Sequence, residues 1–190
     1  PFITGLRYYF LEAAKEELQK EIFAQFDKFF SSGLKISHID GHLHMHMHPT
    51  VFSILIEAAT KYGVKHIRLP REPLIHTLKL RRRNLFNKLL WWTVFHLLSK
   101  SAVSRIEGRG FITPKTVYGL LESGAMTEDF VLGLLQQISS VTTELYCHPE
   151  LYTPETENRL GEEEMMALLS SKVKKLLQER NIHLGTYADL

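Results

Sequence analysis

Short apolar segments rich in β-branched residues alternate with longer segments of helical periodicity along this chain of 190 residues. We predict strands over residues 34–40, 64–69, 109–113, 142–147 and 182–187. We predict helices over residues 11–29, 51–62, 84–100, 127–139 and 162–179. This alternation predicts an α/β fold with a mainly parallel sheet, in which sites lie at the carboxyl ends of strands.

The composition is that of one globular domain spanning residues 1–190, with 44% hydrophobic and 23% charged residues. The formal net charge of +2 argues against nucleic acid as a partner. Cys147 is the single cysteine, so no internal disulfide forms and we expect a reducing, cytoplasmic location. No apolar run reaches the roughly 18 residues that a membrane-spanning helix requires.

The stretch HIDGHLHMHMHP, residues 38–49, holds five of the ten histidines. If it is extended, alternate side chains share one face: His38, Asp40, His42, His44, His46 and His48. If it is helical, His42 and His46 pair four residues apart. Crowded imidazoles favour the neutral form, which is the form that binds metal, and Asp40 can serve as ligand, base or partner of a histidine. The alternative is a hydrogen-bonded polar strand end.

A site of histidine and carboxylate ligands without cysteine indicates zinc, or a harder ion if oxygen ligands complete the shell. A metal in such a site activates water and polarises a carbonyl, which predicts hydrolysis of an amide or an ester.

Two further motifs follow. His148 precedes Pro149 at a predicted strand end, where it is a candidate general acid or a structural histidine. In IRLPREP, residues 67–73, Arg68 ends a strand and Arg71 lies in the following loop. Either arginine can anchor an acidic group of a ligand or a structural carboxylate.

Together these motifs resemble the YdjC-like carbohydrate deacetylases. The matching positions are His38, Asp40, His42, His44 and His46, then Arg68, Arg71 and Pro73, then Cys147, His148 and Pro149, and the closing LGTYAD at residues 184–189. Three stretches are most similar in sequence to the hopanoid-biosynthesis-associated branch of this family: DGHLHMHMHPTVF, RLPREPL and GLLESGAMTEDF.

The resemblance implies a distorted TIM-like (β/α) barrel and removal of N-acetyl groups from an amino sugar, with an N-acetylglucosaminyl hopanoid lipid as the substrate of that branch. It implies one divalent metal ion, Mg²⁺ or Zn²⁺, bound by His42. We assign catalytic roles to His148, as general acid, and to Asp40. The residues assigned to the substrate are Arg68, His44 and His46.

The family begins with an Asn-Ala-Asp-Asp-Phe-Gly strand and a later Gly-[Leu/Met]-His strand, and this sequence has neither motif. We therefore expect a partial domain, incomplete at its N-terminus, that lacks part of the site and exposes strand edges suited to a homo-oligomer. The alternative function is a non-catalytic metal-binding module or an interaction fragment.

Residues 78–100 combine three consecutive arginines with a mostly apolar helix that contains Trp91 and Trp92. The pattern suits peripheral membrane contact through residues 81–100, which would bring the chain to a glycolipid substrate. A helix packed in the core or in a dimer interface is the alternative.

Overall fold

The computed structural model describes residues 12–139, 141–151 and 159–190. The helices in this part are α1 Glu12–Ser31, α2 Pro49–Tyr62, α3 Leu74–Leu80, α4 Leu85–Ile106, α5 Glu128–Gln137, α6 Arg159–Leu169 and α7 Ser171–Glu179. The strands are β1 Thr116–Tyr118 and β2 Thr143–Leu145, and 3₁₀ turns cover His42–Met47 and Tyr187–Asp189. The predicted α/β class is confirmed, with more helix and less sheet than expected. Leu11, predicted to begin the first helix, lies outside the described residues.

The chain forms two compact units. Of the described residues, the first unit contains 12–69, 97–113 and 186–190, and the second contains 70–96, 114–139, 141–151 and 159–185. None of the described helices combines the length and the apolar composition that crossing a bilayer requires.

In the first unit, α1 packs against α2 through an aromatic cluster. The ring of Tyr62 stacks on Phe30 at 5.1 Å between centroids and lies 5.3 Å from the ring of Phe26. Local signals set the ends of α2 as predicted. Pro49 occupies its first turn, and Gly63 ends it with a left-handed φ of 71°.

Three predicted strands of the first unit become extended segments that are joined by single parallel bridges. Ile39 pairs with Ile67, and His66 pairs with Ile112. Ile39 is 5% exposed, whereas Leu34 at the start of the same segment is 64% exposed. Because burial is confined to the end of the segment, only that end gains from pairing, and the ladder stays one bridge long.

In the second unit, β1 and β2 run parallel, with Val117 opposite Glu144. The helices α5, α6 and α7 surround a core whose most deeply buried members are Tyr118, Met126, Phe130, Leu134 and Ala167. Neither β1 nor α3 was predicted, because both elements are too short to show a helical or strand pattern of apolar residues.

The prediction of one helix over residues 162–179 is wrong. Ser170 separates α6 from α7, and its hydroxyl oxygen accepts hydrogen bonds from the N–H groups of Lys172 and Val173, at 3.1 and 3.2 Å. A serine that caps the next helix in this way ends the previous one.

The predicted strand over residues 182–187 is also wrong. Ile182 packs against the helical core, but residues 183–186 are exposed, Leu184 at 82%, so the segment has no continuous apolar side to bury in a sheet. Its end forms a 3₁₀ turn instead, in which the side chains of Thr186 and Asp189 cap each other's backbone.

Two glycines of the second unit provide a matched test of backbone packing. A Cβ atom on Gly119 would lie 2.5 Å from the carbonyl oxygen of Tyr146, whereas one on Gly124 would have no atom within 4 Å. Both glycines have positive φ. We expect Gly124→Ala to lower the free energy of unfolding by about 1–2 kcal/mol, the cost of the left-handed backbone. We expect Gly119→Ala to cost about 1–3 kcal/mol more, because a backbone carbonyl cannot yield. Urea unfolding of the two variants measures the difference, and equal losses would contradict the close approach.

Candidate metal centre

The histidine row is neither extended nor a regular helix. It forms the 3₁₀ turn His42–Met47, in which Leu43 and His44 have left-handed backbone angles, with φ of 51° and 55°. Residues other than glycine rarely adopt this conformation, and two in succession reverse the direction of the chain. The turn separates the imidazoles that an extended segment would align. His42 is exposed, His44 is half-buried and His46 is buried.

The turn brings one acid and two histidines together. Asp40, His44 and His46 each offer one ligand atom, and these atoms lie within 4.8 Å of one another. Asp40 Oδ1 is 3.3 Å from His46 Nδ1 and 3.9 Å from His44 Nδ1. His42, which the resemblance makes the metal ligand, is not one of these three residues. His44 and His46, assigned to the substrate from sequence, are two of them.

The hydrogen bonds of His46 identify its tautomer. Its Nε2 lies 2.9 Å from the carbonyl oxygen of Arg68, which can only accept, so Nε2 carries the proton. Burial is the main influence on the pKa of His46 and lowers it, while the nearby Asp40 carboxylate partly opposes this effect. A neutral ring protonated at Nε2 presents a lone pair at Nδ1, on the side that faces Asp40.

Arg68 determines which oxygen of Asp40 faces the histidines. Its guanidinium donates to Asp40 Oδ2, which leaves Oδ1 directed at the imidazoles. The backbone N–H of Arg68 also donates to the carbonyl of Ile39, at 3.0 Å. The parallel pairing of the two segments therefore sets the ion pair, as expected for an arginine at a strand end.

Gly41 preserves the space beside the buried imidazole. A Cβ atom at this position would lie 3.0 Å from the backbone nitrogen of His46 and 3.3 Å from its Nδ1. Any larger side chain would therefore displace the ring or block its Nδ1.

The donor set fits a divalent cation. Zinc binds imidazole nitrogen and carboxylate oxygen at about 2.0–2.2 Å, which places neighbouring ligand atoms about 3.3 Å apart in a tetrahedral site. The Asp40–His46 distance of 3.3 Å matches this value, whereas the Asp40–His44 distance of 3.9 Å exceeds it, and all three ligand atoms lie within 4.8 Å of one another. Nδ1 of His46 is buried and is not satisfied by a hydrogen bond of ordinary geometry within the described residues. A cation between this lone pair and the carboxylate would satisfy both.

His38, the first histidine of the row, has a different environment. Its ring stacks on Tyr187 with 3.9 Å between centroids, and its Nδ1 lies 2.7 Å from the hydroxyl of Ser37. The closing LGTYAD motif thus contacts the first motif through an aromatic ring rather than through a ligand atom.

In the second unit, the backbone at His148 is held by a buried acid. Glu164 on α6 is fully buried, and its carboxylate accepts from the N–H of His148 and, at 3.0 Å, from the N–H of Met126. Sequence reasoning missed Glu164 among three consecutive glutamates. Its spacing of three residues from the buried Ala167 was the available signal, because it places an acid on the apolar side of an amphipathic helix.

Cys147 precedes His148 and is half-buried. Burial, with a smaller contribution from the charge of Glu164, raises the pKa of the Cys147 thiol to about 11. A thiol with this pKa is protonated near neutral pH and is a poor nucleophile.

The IRLPREP stretch also contains an acid that sequence reasoning overlooked. Glu72 is 5% exposed, and its carboxylate accepts hydrogen bonds from three consecutive backbone N–H groups, those of residues 119–121, at 2.9–3.2 Å. The guanidinium of Arg71 donates to the carbonyl of Pro114. In the second unit, Glu72 therefore supports the loop that follows β1, and Arg71 supports the segment that precedes it.

Known proteins similar to this chain carry a consistent name. A carbohydrate deacetylase of Thermoanaerobacter pseudethanolicus is 24% identical over 196 residues, covering all of this chain and 66% of that protein. One from Vibrio cholerae is 26% identical over 180 residues, covering 92% of this chain and 59% of its relative. One from Brevibacillus brevis is 40% identical over 60 residues, 32% of this chain and 24% of that protein. The chain therefore spans less than two thirds of the length of these curated relatives.

A solved structure shares the fold. A protein of Enterococcus faecalis V583 named for cellobiose-phosphate cleavage superposes with a TM-score of 0.61 at 20% identity, over 90% of this chain and 60% of that one. The family model for YdjC-like proteins matches residues 1–179. With the histidine turn, the arginine-paired Asp40 and this match over nearly the whole sequence, the chain belongs to the YdjC-like protein family.

Proposed function

We propose that this chain is part of a metal-dependent carbohydrate N-deacetylase, which hydrolyses the amide bond of an N-acetylated amino sugar. The observation that carries the proposal is the convergence of Asp40, His44 and His46, in which the buried Nδ1 of His46 lies 3.3 Å from the carboxylate of Asp40. Family membership and the names of the relatives supply the reaction class. Further ligands are expected from the parts of the full-length relatives that this chain does not match.

Asp40, His44 and His46 would hold the ion, and the two imidazoles favour zinc over magnesium, which prefers oxygen ligands. When bound, a divalent metal supplies acidified water and a Lewis acid for the acetyl carbonyl. Arg68 keeps the Asp40 carboxylate oriented, through the ion pair on its other oxygen. His42, which lies in the same turn, remains the ligand that the resemblance implies.

His148 is proposed as the general acid that protonates the departing amine. The anchored backbone at this position supports the role, because proton transfer requires a side chain of defined position. This assignment rests on the Cys-His-Pro motif, and the experiments below test it separately from metal binding.

We further infer that the complete enzyme forms a distorted TIM-like barrel and acts on an N-acetylglucosaminyl hopanoid lipid. In support of the barrel, every strand pairing in the described residues is parallel. In support of the lipid substrate, the sequences of the motifs are most similar to the hopanoid-associated branch.

Zinc titration tests the metal centre. We expect His46→Ala and Asp40→Ala each to weaken zinc binding by at least about tenfold, because each substitution removes one of the proposed ligands. His183→Ala replaces an exposed histidine outside the centre and should leave the affinity unchanged. Zinc binding by His46→Ala as tight as that of the parent chain would disprove the proposed site. The same titration of His42→Ala tests whether His42 also coordinates the zinc ion.

Acetate release from N-acetylglucosamine oligosaccharides tests the reaction in the full-length protein. We expect chelation of the metal to abolish turnover, and His148→Gln to lower kcat by about 10²–10⁴-fold while zinc binding is retained. The matched control is His183→Gln. Tight zinc binding without acetate release from any N-acetylated sugar would instead favour a non-catalytic metal-binding module.

Alkylation of the single cysteine tests the environment of His148. With a pKa of about 11, the Cys147 thiol should react with iodoacetamide at pH 8 much more slowly in the folded chain than in urea. Raising the pH towards 11 should accelerate the native reaction, because the thiolate then becomes populated. Equal rates in the folded and unfolded chain at pH 8 would contradict the buried site.

A further inference from the structure

We propose that the outer face of α4, together with the basic residues at its start, binds the surface of a membrane that contains anionic lipid. The proposal does not rest on the proposed activity. It rests on the apolar side chains that α4 exposes and on the distribution of charge along the chain. It also rests on the anchoring of the basic turn, residues 81–83, that precedes the helix.

The exposed side of α4 is apolar where a surface helix is normally polar. Phe86, Leu90 and Val94 recur every fourth residue, and they are 77%, 49% and 37% exposed. Trp91 is 54% exposed beside them. Lys88 and Phe95 lie on the opposite side of the helix and are buried. The exposed side of α4 therefore carries large apolar side chains, while its buried side includes a lysine, and an apolar outer stripe of this kind marks an interaction surface.

The charge of this region differs from that of the rest of the chain. Residues 73–106 contain seven of the 23 lysines and arginines and none of the 21 aspartates and glutamates. The rest of the chain therefore has an excess of acidic residues. Three exposed bases, Lys79, Arg82 and Arg83, precede the apolar stripe in the sequence of the second unit.

A buried acid anchors the basic turn. Glu122 is 3% exposed and contacts Arg81 at 2.9 Å, Arg83 at 3.5 Å and the buried ammonium group of Lys88. Arg81 also donates to the carbonyl of Ala125 at 2.9 Å. One carboxylate neutralises only one of three positive charges, so the turn keeps a net positive charge while its backbone position is defined.

This combination favours a lipid surface over a second copy of the chain. A symmetric dimer through this face would bring two acid-free, basic segments together, and like charges would oppose the contact. An anionic bilayer offers negative charge at its surface and an apolar layer beneath it, which matches exposed bases beside an apolar stripe. Tryptophan is suited to the boundary between these layers, where Trp91 would lie.

Co-sedimentation with vesicles tests the proposal. The purified chain is mixed with vesicles of phosphatidylcholine alone or of phosphatidylcholine with phosphatidylglycerol. We expect it to bind the second kind, less strongly as salt is raised, and we expect Phe86→Glu/Leu90→Glu to weaken binding by at least about tenfold. Arg82→Glu should weaken binding to the anionic vesicles as well.

Leu184→Glu is the matched control, because Leu184 is an exposed leucine of the second unit outside this face. It should bind like the parent chain, and circular dichroism verifies the helical content of every variant. Equal binding by the parent and by Phe86→Glu/Leu90→Glu would overturn the proposal, as would binding to neither kind of vesicle. A dimer in light scattering that Phe86→Glu/Leu90→Glu dissociates, without vesicle binding, would assign the face to a second copy instead.

Discussion

The ion pair between Asp40 and Arg68 is the interaction on which the candidate centre depends. Arg68 occupies one oxygen of the carboxylate, so the other oxygen faces the histidines. The backbone of Arg68 pairs with Ile39, and its carbonyl accepts from His46. One residue thus joins two parallel segments, orients the acid and selects the tautomer of the buried imidazole. The short bridge between the segments is sufficient because these side-chain contacts act across the same junction.

Buried carboxylates have a second role in this chain, as acceptors for backbone N–H groups. Glu72 accepts from three consecutive residues of a loop, and Glu164 accepts from Met126 and from His148. Each carboxylate supplies acceptors to several N–H groups, and an N–H group that is buried without a partner costs about 1–3 kcal/mol. Loops that follow short strands can therefore hold defined positions without a long sheet to support them.

Features set by local signals could be predicted from the sequence. The proline and glycine at the ends of α2 specify its length, and the order of helices and extended segments indicated the α/β class. The strand ladders could not be predicted, because their length depends on which neighbour buries each residue. For the segment after residue 182, hydrogen bonds between Thr186 and Asp189 override an apparent β propensity.

The residue types of the candidate metal-binding triad were predicted, but its geometry was not. The density of histidines and Asp40 indicated ligands, whereas the alternation of residues suggested an extended row. Nothing in a Leu-His pair indicates left-handed backbone, which the chain adopts because burial of His46 and its bond to Arg68 offset the local cost.

The left-handed pair at Leu43 and His44 also bears on which ions the centre would accept. Each such residue costs about 1–2 kcal/mol, and this cost arises when the chain folds rather than when an ion arrives. A cage that is assembled beforehand loses little affinity to reorganisation. The two imidazole nitrogens that this turn presents would then favour zinc over calcium, which takes oxygen ligands.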